Sequence, residues 1–377
     1  MIKVLNIISD TNIGGAGSLL IYFLTAYDRA KFEVSVALPR GGMLKEKIES
    51  LGVRVYELDC IRDKSFDIPA IKHLRRLIRE ADPDIVHTHG ALSGRIAAKR
   101  CKKPVVFTRH SGFESNPIYT KGPGKAFFKL ITKRYTDRII ATSVLSRDDL
   151  VNCGISGSLI DVILNGAPPL PKLGSGERAA ARREYGFGPN DFLAGIIARI
   201  EPYKGQMFVI EAARILKDGG KKIKILVAGT GSDETAAKKR AEELDLGDTV
   251  IFLGFVQDVA PLFNMLDISI NASYVETTCL SLLEGMSIGL PAVASDESGN
   301  PWVIKDGVNG LLFKSRDPAS LAEQISRIHD SPELLESLSV GALGVYSSEF
   351  TCERFAENTQ SVYLKVLEDH YGRQSYT

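Results

Sequence analysis

The chain has 377 residues, of which 44% are hydrophobic and 25% charged, and its formal net charge is +1 at pH 7. This balance is typical of a soluble globular protein, and the length predicts two domains instead of one core. No apolar run is long enough to cross a bilayer. The cysteines form no C-x-x-C pair, which argues against a disulfide framework and a structural zinc site; they are Cys60, Cys101, Cys153, Cys279 and Cys352.

Charge is distributed unevenly along the chain. Residues 1–168 contain 26 of the 47 basic and 17 of the 46 acidic residues, so this half carries +9 and the remainder −8. The basic half favours an anionic acceptor or an anionic membrane surface as its partner. Nucleic acid is not expected, because the basic residues are not interleaved with exposed aromatics. The first residues, MIKVLNIISD, lack signal-peptide features, which predicts a cytoplasmic location.

Short β-branched runs alternate with amphipathic helical patterns from the start of the chain. Helices are predicted at residues 18–26 and 68–79. The alternation indicates an α/β fold, with a mostly parallel sheet covered by helices on both faces. The predicted strands of this half are Lys3–Ile8, Glu33–Leu38, Arg54–Leu58, Ile85–Thr88, Val105–Thr108, Arg138–Ala141 and Val162–Leu164.

A segment rich in Pro and Gly, residues 165–176 (NGAPPLPKLGSG), interrupts the alternation and is typical of an interdomain linker. We therefore predict two doubly wound domains, at 1–168 and 169–352. A last helix, within 353–377, is expected to pack back onto the first domain. The elements predicted after the linker are strands at 192–197, 223–228, 250–253, 268–272 and 291–294, and helices at 205–216, 235–244 and 280–288.

Doubly wound sheets bind ligands in the loops that follow the carboxyl ends of their strands. The first such loop contains Gly14, Gly15 and Gly17, where the backbone could approach an anion at the start of a helix. The spacing departs from G-x-G-x-x-G, so a dinucleotide cofactor is not indicated. A plain tight turn explains the glycines as well.

A compact cationic loop follows the predicted strand at 192–197. It contains Arg199 and Lys204, and Gly205 stands at the entrance of the next helix. Arginine can hold phosphate oxygens through two parallel hydrogen bonds, while lysine adds a mobile point charge. The loop therefore favours a phosphate site, although two solvated cations would give the same pattern.

Two glutamates flank the start of an apolar helix. Glu276 lies in the loop after the predicted strand at 268–272, and Glu284 lies about two turns into the helix, where an apolar residue is expected. A buried carboxylate needs hydrogen-bond donors, which the hydroxyl groups of a ribose could supply. The first amides of the helix could receive a phosphate. The alternative for Glu284 is a surface position.

These residues resemble the family-4 retaining glycosyltransferases (glycosyl transferases group 1), whose GT-B fold has two Rossmann-like domains facing a central cleft. The family segment G-R-L-x-x-x-K-G is matched by residues 198–205 (ARIEPYKG), and the family's two glutamates by Glu276 and Glu284. The stretches SLLEGMSIGLPAVASD, GNPWVIKDGVNGLL and ILNGAP are also similar to the family. The resemblance covers nearly the whole chain.

The resemblance implies roles for these side chains. Arg199 and Lys204 would neutralise the donor diphosphate. Glu284 would bind the ribose hydroxyls, and Glu276 would contact the sugar and place its anomeric carbon. Retention of the anomeric configuration is likewise implied by the resemblance. A same-face displacement, in which the leaving phosphate accepts the acceptor's proton, fits this set better than a covalent intermediate.

Two histidines at strand ends are further candidates. His110 resembles the family histidine near the reacting sugar, and His89 is a weaker candidate. Asp258 could position the base or a loop, but a helix N-cap explains it equally. The remaining candidates for donor binding are Gly15, Cys279, Leu280 and Ser281.

The chain departs from the family pattern at two places. Residues 277–279 (TTC) stand where the family often has glycine or an aromatic residue, which bears on sugar specificity. Gly17 replaces an acidic residue of the glycine turn, which bears on the acceptor. The D-x-D at residues 82–84 precedes a predicted strand, the wrong sheet edge for a metal site. No metal cofactor is therefore expected, because fixed positive charge from Arg199 and Lys204 can replace it.

Residues 121–134 (KGPGKAFFKLITKR) predict a basic helix whose lysines recur every four residues beside Phe127, Phe128 and Ile131. Such a helix can lie on an anionic membrane. A solvated lysine face over an ordinary core stripe is the alternative.

The expected function is retaining, metal-independent transfer of a hexose-type sugar from a nucleotide diphosphate donor, with a UDP-sugar favoured. The acceptor would be a glycan or a lipid-linked molecule in polysaccharide or glycoconjugate biosynthesis, reached in the cytoplasm or at the inner face of the membrane. The alternatives are a non-catalytic partner that binds nucleotide-sugar and a nucleotide-sugar epimerase. An NAD-dependent dehydrogenase is not expected without the glycine fingerprint.

Overall fold

The computed structural model describes residues 1–11, 13–59, 66–110 and 115–372. The chain divides into two compact units, Met1–Gly166 with Cys352–Thr377, and Ala167–Thr351. The boundary predicted from the sequence, after residue 168, lies next to this division. Cys60 lies outside the described residues. Across the described ranges, no helix is long and apolar enough to span a membrane.

The first unit is built on a parallel sheet of seven strands. The order β3-β2-β1-β4-β5-β6-β7 reverses between β1 and β4, which makes that pair the topological switch point. All five residues of β4 are buried, as expected for a strand covered on both faces. The strands are β1 (Ile2–Ile8), β2 (Phe32–Pro39), β3 (Arg54–Leu58), β4 (Ile85–His89), β5 (Val105–Arg109), β6 (Arg138–Ala141) and β7 (Ile160–Val162).

Six α-helices accompany this sheet in the described part of the first unit, before the chain crosses to the second. The first begins at Gly15, three residues before the predicted start, because the Ser18 amide donates to the Gly14 carbonyl and closes a turn there. The last strand also differs from its predicted span, 162–164, because pairing with β6 begins at Ile160. The helices are α1 (Gly15–Ala26), α2 (Met43–Ser50), α3 (Ile68–Ala81), α4 (Leu92–Arg100), α5 (Gly122–Tyr135) and α6 (Val144–Asn152).

The second unit repeats the pattern with six parallel strands. The order β10-β9-β8-β11-β12-β13 reverses between β8 and β11. β13 was not predicted from the sequence, because it begins with the glycine of an Asn309–Gly310 pair, which is typical of a turn. The strands are β8 (Phe192–Ile197), β9 (Ile223–Ala228), β10 (Val250–Gly254), β11 (Ile268–Asn271), β12 (Ala292–Ser295) and β13 (Gly310–Phe313). The α/β, doubly wound prediction is confirmed for both units.

Nine helices follow residue 166 within the described ranges. Most of the predicted linker belongs to the second unit, since the Leu170 amide donates to Ser287 and the Leu173 amide to Asn264. The helices are α7 (Ser175–Glu184), α8 (Gln206–Asp218), α9 (Glu234–Glu243), α10 (Ala260–Met265), α11 (Leu280–Ser287), α12 (Asn300–Val303), α13 (Pro318–His329), α14 (Pro332–Glu349) and α15 (Cys352–Tyr371).

Helix α15 belongs to the first unit. Its Tyr363 is fully buried, and its ring lies 6.0 Å from the rings of both Phe23 in α1 and Phe32 in β2, edge-on in each case. Edge-to-face aromatic packing of this kind adds to the burial of apolar area. The helix that follows the second unit in the chain therefore completes the core of the first.

A buried arginine fixes the start of β11. The Arg182 side chain is only 3% exposed and forms an ion pair of 2.8 Å with Asp267, the residue before the strand. It also donates to the carbonyl oxygens of Met265 and Asp191. Asp267 in turn accepts from the Leu193 amide of β8. The network thus holds together the two strands of the switch point.

Candidate functional site

The loops that follow β8 and β11 leave the switch point of the second sheet side by side. The Tyr274 amide donates to the Tyr203 carbonyl over 3.0 Å, which ties one loop to the other. Gly205 has a φ of +76°, and a Cβ there would collide with the carbonyl oxygen of Ala272. Only glycine meets both conditions, so the close approach of the two loops depends on it.

Lys204 and Glu276 form a partly buried ion pair across these loops. Their Nζ and Oε2 atoms are 2.5 Å apart, and the side chains are 16% and 13% exposed. Burial acts to lower the pKa of Lys204, but the surrounding groups together, with Glu276 the first of them, outweigh burial, so the pKa is raised. Lys204 is therefore a fixed cation at neutral pH.

Arg199 lies beside this pair on the same loop. Its guanidinium donates to the Tyr203 hydroxyl over 2.9 Å, and its carbonyl accepts from the Gln206 side chain. Arg199 is exposed, whereas Lys204 is partly buried. The loop thus presents one cation to solvent and holds a second cation against a carboxylate.

The backbone around Glu276 is held by the loop after β12. Its amide donates to Ser298 Oγ over 2.7 Å, and the same hydroxyl donates back to its carbonyl over 2.8 Å. A Cβ at Gly299 would collide with the Thr277 carbonyl, so the two loops are in direct contact. Neither Ser298 nor Gly299 was among the predicted site residues, although Gly299 begins the family-like stretch GNPWVIKDGVNGLL and Ser298 directly precedes it.

Helix α11 begins in this loop. Cys279 precedes it, is 7% exposed, and has its Sγ 3.1 Å from Ser281 Oγ. Burial, reinforced by the charge of Glu276, raises the pKa of the Cys279 thiol, so it stays protonated. The first intrahelical bonds run from the Leu282 and Leu283 amides to the Cys279 carbonyl. The amides of Leu280 and Ser281 therefore come before the intrahelical ladder, where an anion can be received.

Glu284 and Asp258 are the other candidates in the second unit. Glu284 is half-buried in α11, one turn beyond its start. Asp258 is exposed, and its Oδ1 accepts from the Ala260 amide at the start of α10. The N-cap position of α10 is occupied by Val259, so Asp258 contacts the helix start from one residue before the N-cap position that was its predicted alternative.

The remaining candidates, Gly15 and His110, belong to the first unit. Gly15 is the first residue of α1 instead of a loop residue, and open space surrounds the position of its missing Cβ. His110 directly follows β5. Its Nε2 lies 2.9 Å from Nδ1 of His89, the last residue of β4, and their rings are stacked. Burial lowers the pKa of His110 to about 4.

As expected, the D-x-D segment (residues 82–84) directly precedes β4. It therefore lies where the strands of the first sheet begin, and not at their carboxyl ends. Asp82 pairs with Lys103 over 2.6 Å, and Asp84 accepts from the Lys3 amide of β1. In the part of the chain that is described, no three His, Cys, Asp or Glu side chains are grouped so that they could hold a metal ion.

Two family models match successive parts of the chain. The model described as Glycosyltransferase Family 4 matches residues 13–169, and the model described as Glycosyl transferases group 1 matches residues 177–342. This chain belongs to the family 4 glycosyltransferases. The second match contains both loops of the switch point.

Named relatives of this glycosyltransferase agree with the assignment. EpsD of Bacillus subtilis, named as a candidate glycosyltransferase, is 29% identical over 300 residues, covering 74% of this chain and 76% of EpsD. The D-inositol 3-phosphate glycosyltransferase of Streptomyces griseus is 29% identical over 326 residues, covering 77% and 68%.

The fold is also that of solved glycosyltransferases. Anabaena Alr3699/HepE, solved with UDP, is 20% identical and superposes with a TM-score of 0.83 over 97% of this chain and 100% of that one. The same protein has been solved with UDP-glucose. The GT-B fold predicted for this glycosyltransferase is thereby confirmed.

Proposed function

We propose that this glycosyltransferase transfers a hexose-type sugar, with retention and without a metal ion, from a nucleotide diphosphate donor to a glycan or lipid-linked acceptor. The observation that carries the proposal is the cluster of Arg199, Lys204 and Glu276 on the two switch-point loops of the second sheet. A UDP-sugar is the favoured donor, which the UDP and UDP-glucose complexes of the Anabaena relative support.

The departure of the nucleoside diphosphate from the sugar explains why cations are needed on these two loops. As the bond between the anomeric carbon and the phosphate oxygen breaks, negative charge grows on the diphosphate and positive charge on the sugar ring. Lys204 and Arg199 offset the first charge, helped by the amides at the start of α11. Glu276, held by Lys204 and Ser298, faces the sugar hydroxyls, and Glu284 binds the ribose.

The acceptor oxygen attacks from the face that the diphosphate leaves. A new bond forms between this oxygen and the anomeric carbon, the bond to the phosphate oxygen breaks, and the released phosphate takes the acceptor's proton. No covalent sugar–enzyme intermediate is required. Because the cations are protein side chains, the charge balance of this step holds without a divalent ion.

Turnover should therefore persist in excess EDTA. The measurement is UDP release from UDP-glucose, with GDP- and ADP-glucose as comparison donors, before and after chelation. An unchanged rate is expected, because the fixed cations remain in place. Strict dependence on added magnesium would contradict the metal-independent mechanism. Donor binding, seen as a thermal shift, without nucleotide release would instead favour a non-catalytic partner.

We propose further that the protein contacts an anionic membrane through α5. Of its fourteen residues only Thr132 is buried, while Phe127 is 62% and Leu130 64% exposed. Phe128 packs inward against Tyr119, so the aromatic pair that sequence analysis treated as one stripe is divided between two faces. The helix contains no acidic residue. An exposed apolar face on a basic helix is typical of interfacial binding.

Vesicle binding tests this surface. Full-length protein should cosediment with vesicles of phosphatidylglycerol and phosphatidylcholine at low salt, and less with phosphatidylcholine alone. F127S/L130S should lower the partition coefficient at least roughly tenfold, since each buried side chain contributes about 1.5–3 kcal/mol when fully inserted. V340S, at a 70% exposed valine of the second unit, is the matched control. Equal recovery with neutral vesicles would remove the membrane proposal.

A further inference from the structure

Ser298 has a left-handed backbone in the loop between β12 and α12, with a φ of +64°. Among the other non-glycine residues with positive φ in the described ranges, Asp82, Lys102 and Asp245 lie within two residues of a helix C-terminus, where this conformation commonly ends the helix. Ser298 and Arg316 instead lie in loops that follow strands. A side chain crowds the backbone in this conformation, which therefore persists only where the surrounding structure holds it.

The hydroxyl of Ser298 contacts both backbone groups of Glu276. The Glu276 amide donates to Ser298 Oγ over 2.7 Å, and Ser298 Oγ donates to the Glu276 carbonyl over 2.8 Å. An amide can only donate and a carbonyl can only accept, so the single hydroxyl proton is directed to the carbonyl. Lys204 holds the same residue at its other end, through Oε2. Glu276 is therefore fixed both at its backbone and at its carboxylate.

Asn300 anchors the loop that carries Ser298. It is fully buried, and its Nδ2 atom donates to Ser295 Oγ over 2.8 Å. Ser295 Oγ donates in turn to the Ser273 carbonyl over 2.6 Å. The same Nδ2 atom lies 3.4 Å from the Ser273 carbonyl oxygen and 3.4 Å from Asn271 Oδ1. Asn300 thus ties the loop to the end of β12 and to the end of β11.

Backbone groups fix the orientation of the Asn300 amide. Asn271 Oδ1 accepts from the Ser273 amide over 2.9 Å, and the Ser273 carbonyl can only accept. Reversing the Asn300 amide would place its Oδ1 against both of these oxygen atoms, and the Ser295 hydroxyl has no second proton to offer. The amide nitrogen must therefore face them. Asn300 Oδ1 is enclosed without a partner among the described residues, so it favours no competing orientation.

Two local costs thus lie next to Glu276. One is the left-handed backbone of Ser298, and the other is the enclosed Oδ1 of Asn300. The intervening Gly299 lies so close to the Thr277 carbonyl that a Cβ would collide with it, so the loop is held on this side as well. Features that reduce stability and that meet at one residue call for a functional explanation.

We infer that Ser298 and Asn300 are positioning residues for transfer of the donor sugar. Asn300 holds Ser298 in its left-handed conformation, and the Ser298 hydroxyl fixes the Glu276 backbone so that the carboxylate faces the sugar. The inference rests on the proposed function for the role of Glu276. Its distinctive consequence is that activity should follow the hydroxyl at position 298, whereas stability should follow the backbone there.

Three substitutions of Ser298 test this consequence. S298A removes the hydroxyl and keeps the strain, whereas S298G removes both. Each should lower kcat/KM for UDP-glucose about tenfold, the equivalent of one neutral hydrogen bond, although S298G should have the higher Tm of the two. S298T keeps the hydroxyl but branches the Cβ, so it should lower the Tm and retain most of the rate. Rates are compared at a temperature at which circular dichroism shows every variant folded.

A double-mutant cycle tests the anchor. N300A removes the side chain that holds the loop, so kcat/KM should again fall about tenfold. In S298A/N300A the rate should fall no further, because both substitutions act through one hydroxyl. D245G, at an exposed left-handed residue of the same unit, is the matched control and should leave the rate unchanged. If N300A does not fold, the three variants of Ser298 decide alone.

The outcomes distinguish two failures. Wild-type kcat/KM in S298A, or rates that rank with Tm across the three variants of Ser298, would overturn the inference alone. Additive losses in S298A/N300A would overturn the part assigned to Asn300. Wild-type protein that turns over no nucleotide-sugar would instead refute the proposed function, and the inference with it.

Discussion

Replacing Lys204 with methionine is expected to lower kcat/KM for donor turnover by about 10²–10³-fold, the usual effect of removing one preorganised group that stabilises developing charge. Methionine keeps most of the apolar stem of lysine and removes only the ammonium. In the proposed reaction this ammonium opposes the charge that grows on the diphosphate. The loss should appear mainly in kcat, because the charge is greatest in the transition state.

The ion pair with Glu276 complicates this substitution, and a second variant resolves it. K204M leaves a carboxylate that is 13% exposed without its cation, which is itself destabilising. In K204M/E276Q the thermal stability should recover, whereas the activity should not. K222M, at an exposed lysine of the same unit, is the control and should behave as wild type. Near-wild-type kcat in K204M would contradict the assigned role.

The largest expected effect on stability belongs to Arg182. R182L should lower the free energy of unfolding of the second unit by about 3–5 kcal/mol, because it breaks a buried ion pair and leaves Asp267 with reduced compensation. Three carbonyl groups, those of Met265, Pro189 and Asp191, also lose the donors that Arg182 supplies. The adjacent R183L, at an exposed position of the same helix, should be nearly neutral.

The chain offers a natural probe for this measurement. Its one tryptophan, Trp302, lies in the second unit and is 47% exposed. Its fluorescence in a denaturant titration reports on that unit separately from the first. Equal midpoints for R182L and R183L would show that the arginine network contributes little to stability.

Periodicity predicted most of the central strands well, because buried parallel strands are short apolar runs between turn residues. The exceptions have physical reasons. The strand at Gly310–Phe313 begins with the glycine of an Asn-Gly pair, which is typical of a turn. The limits of the strand at Ile160–Val162 are set by pairing with its neighbour. The start of α1 was misplaced because glycines signal a loop, although their backbone closed a helical turn.

The site residues that could be predicted are those of a characteristic type that come directly after a predicted strand. Arg199, Lys204 and Glu276 could each be placed in a loop that follows a predicted strand. Their contacts could not, because the Lys204–Glu276 pair depends on how two loops approach each other around Gly205. Ser298 was missed because a single serine between strands carries no pattern. The contact between His89 and His110 was missed because the two residues are 21 apart in the sequence.

The position of α15 in the chain determines when the first unit can finish folding during synthesis on the ribosome. The first unit is discontinuous in sequence, since Cys352–Tyr371 is made only after the whole second unit has emerged. Until then the surface around Phe23 and Phe32 lacks the Tyr363 ring that covers it. The unit made first is therefore the one finished last, and the nascent chain exposes an apolar surface that chaperones can recognise for that interval.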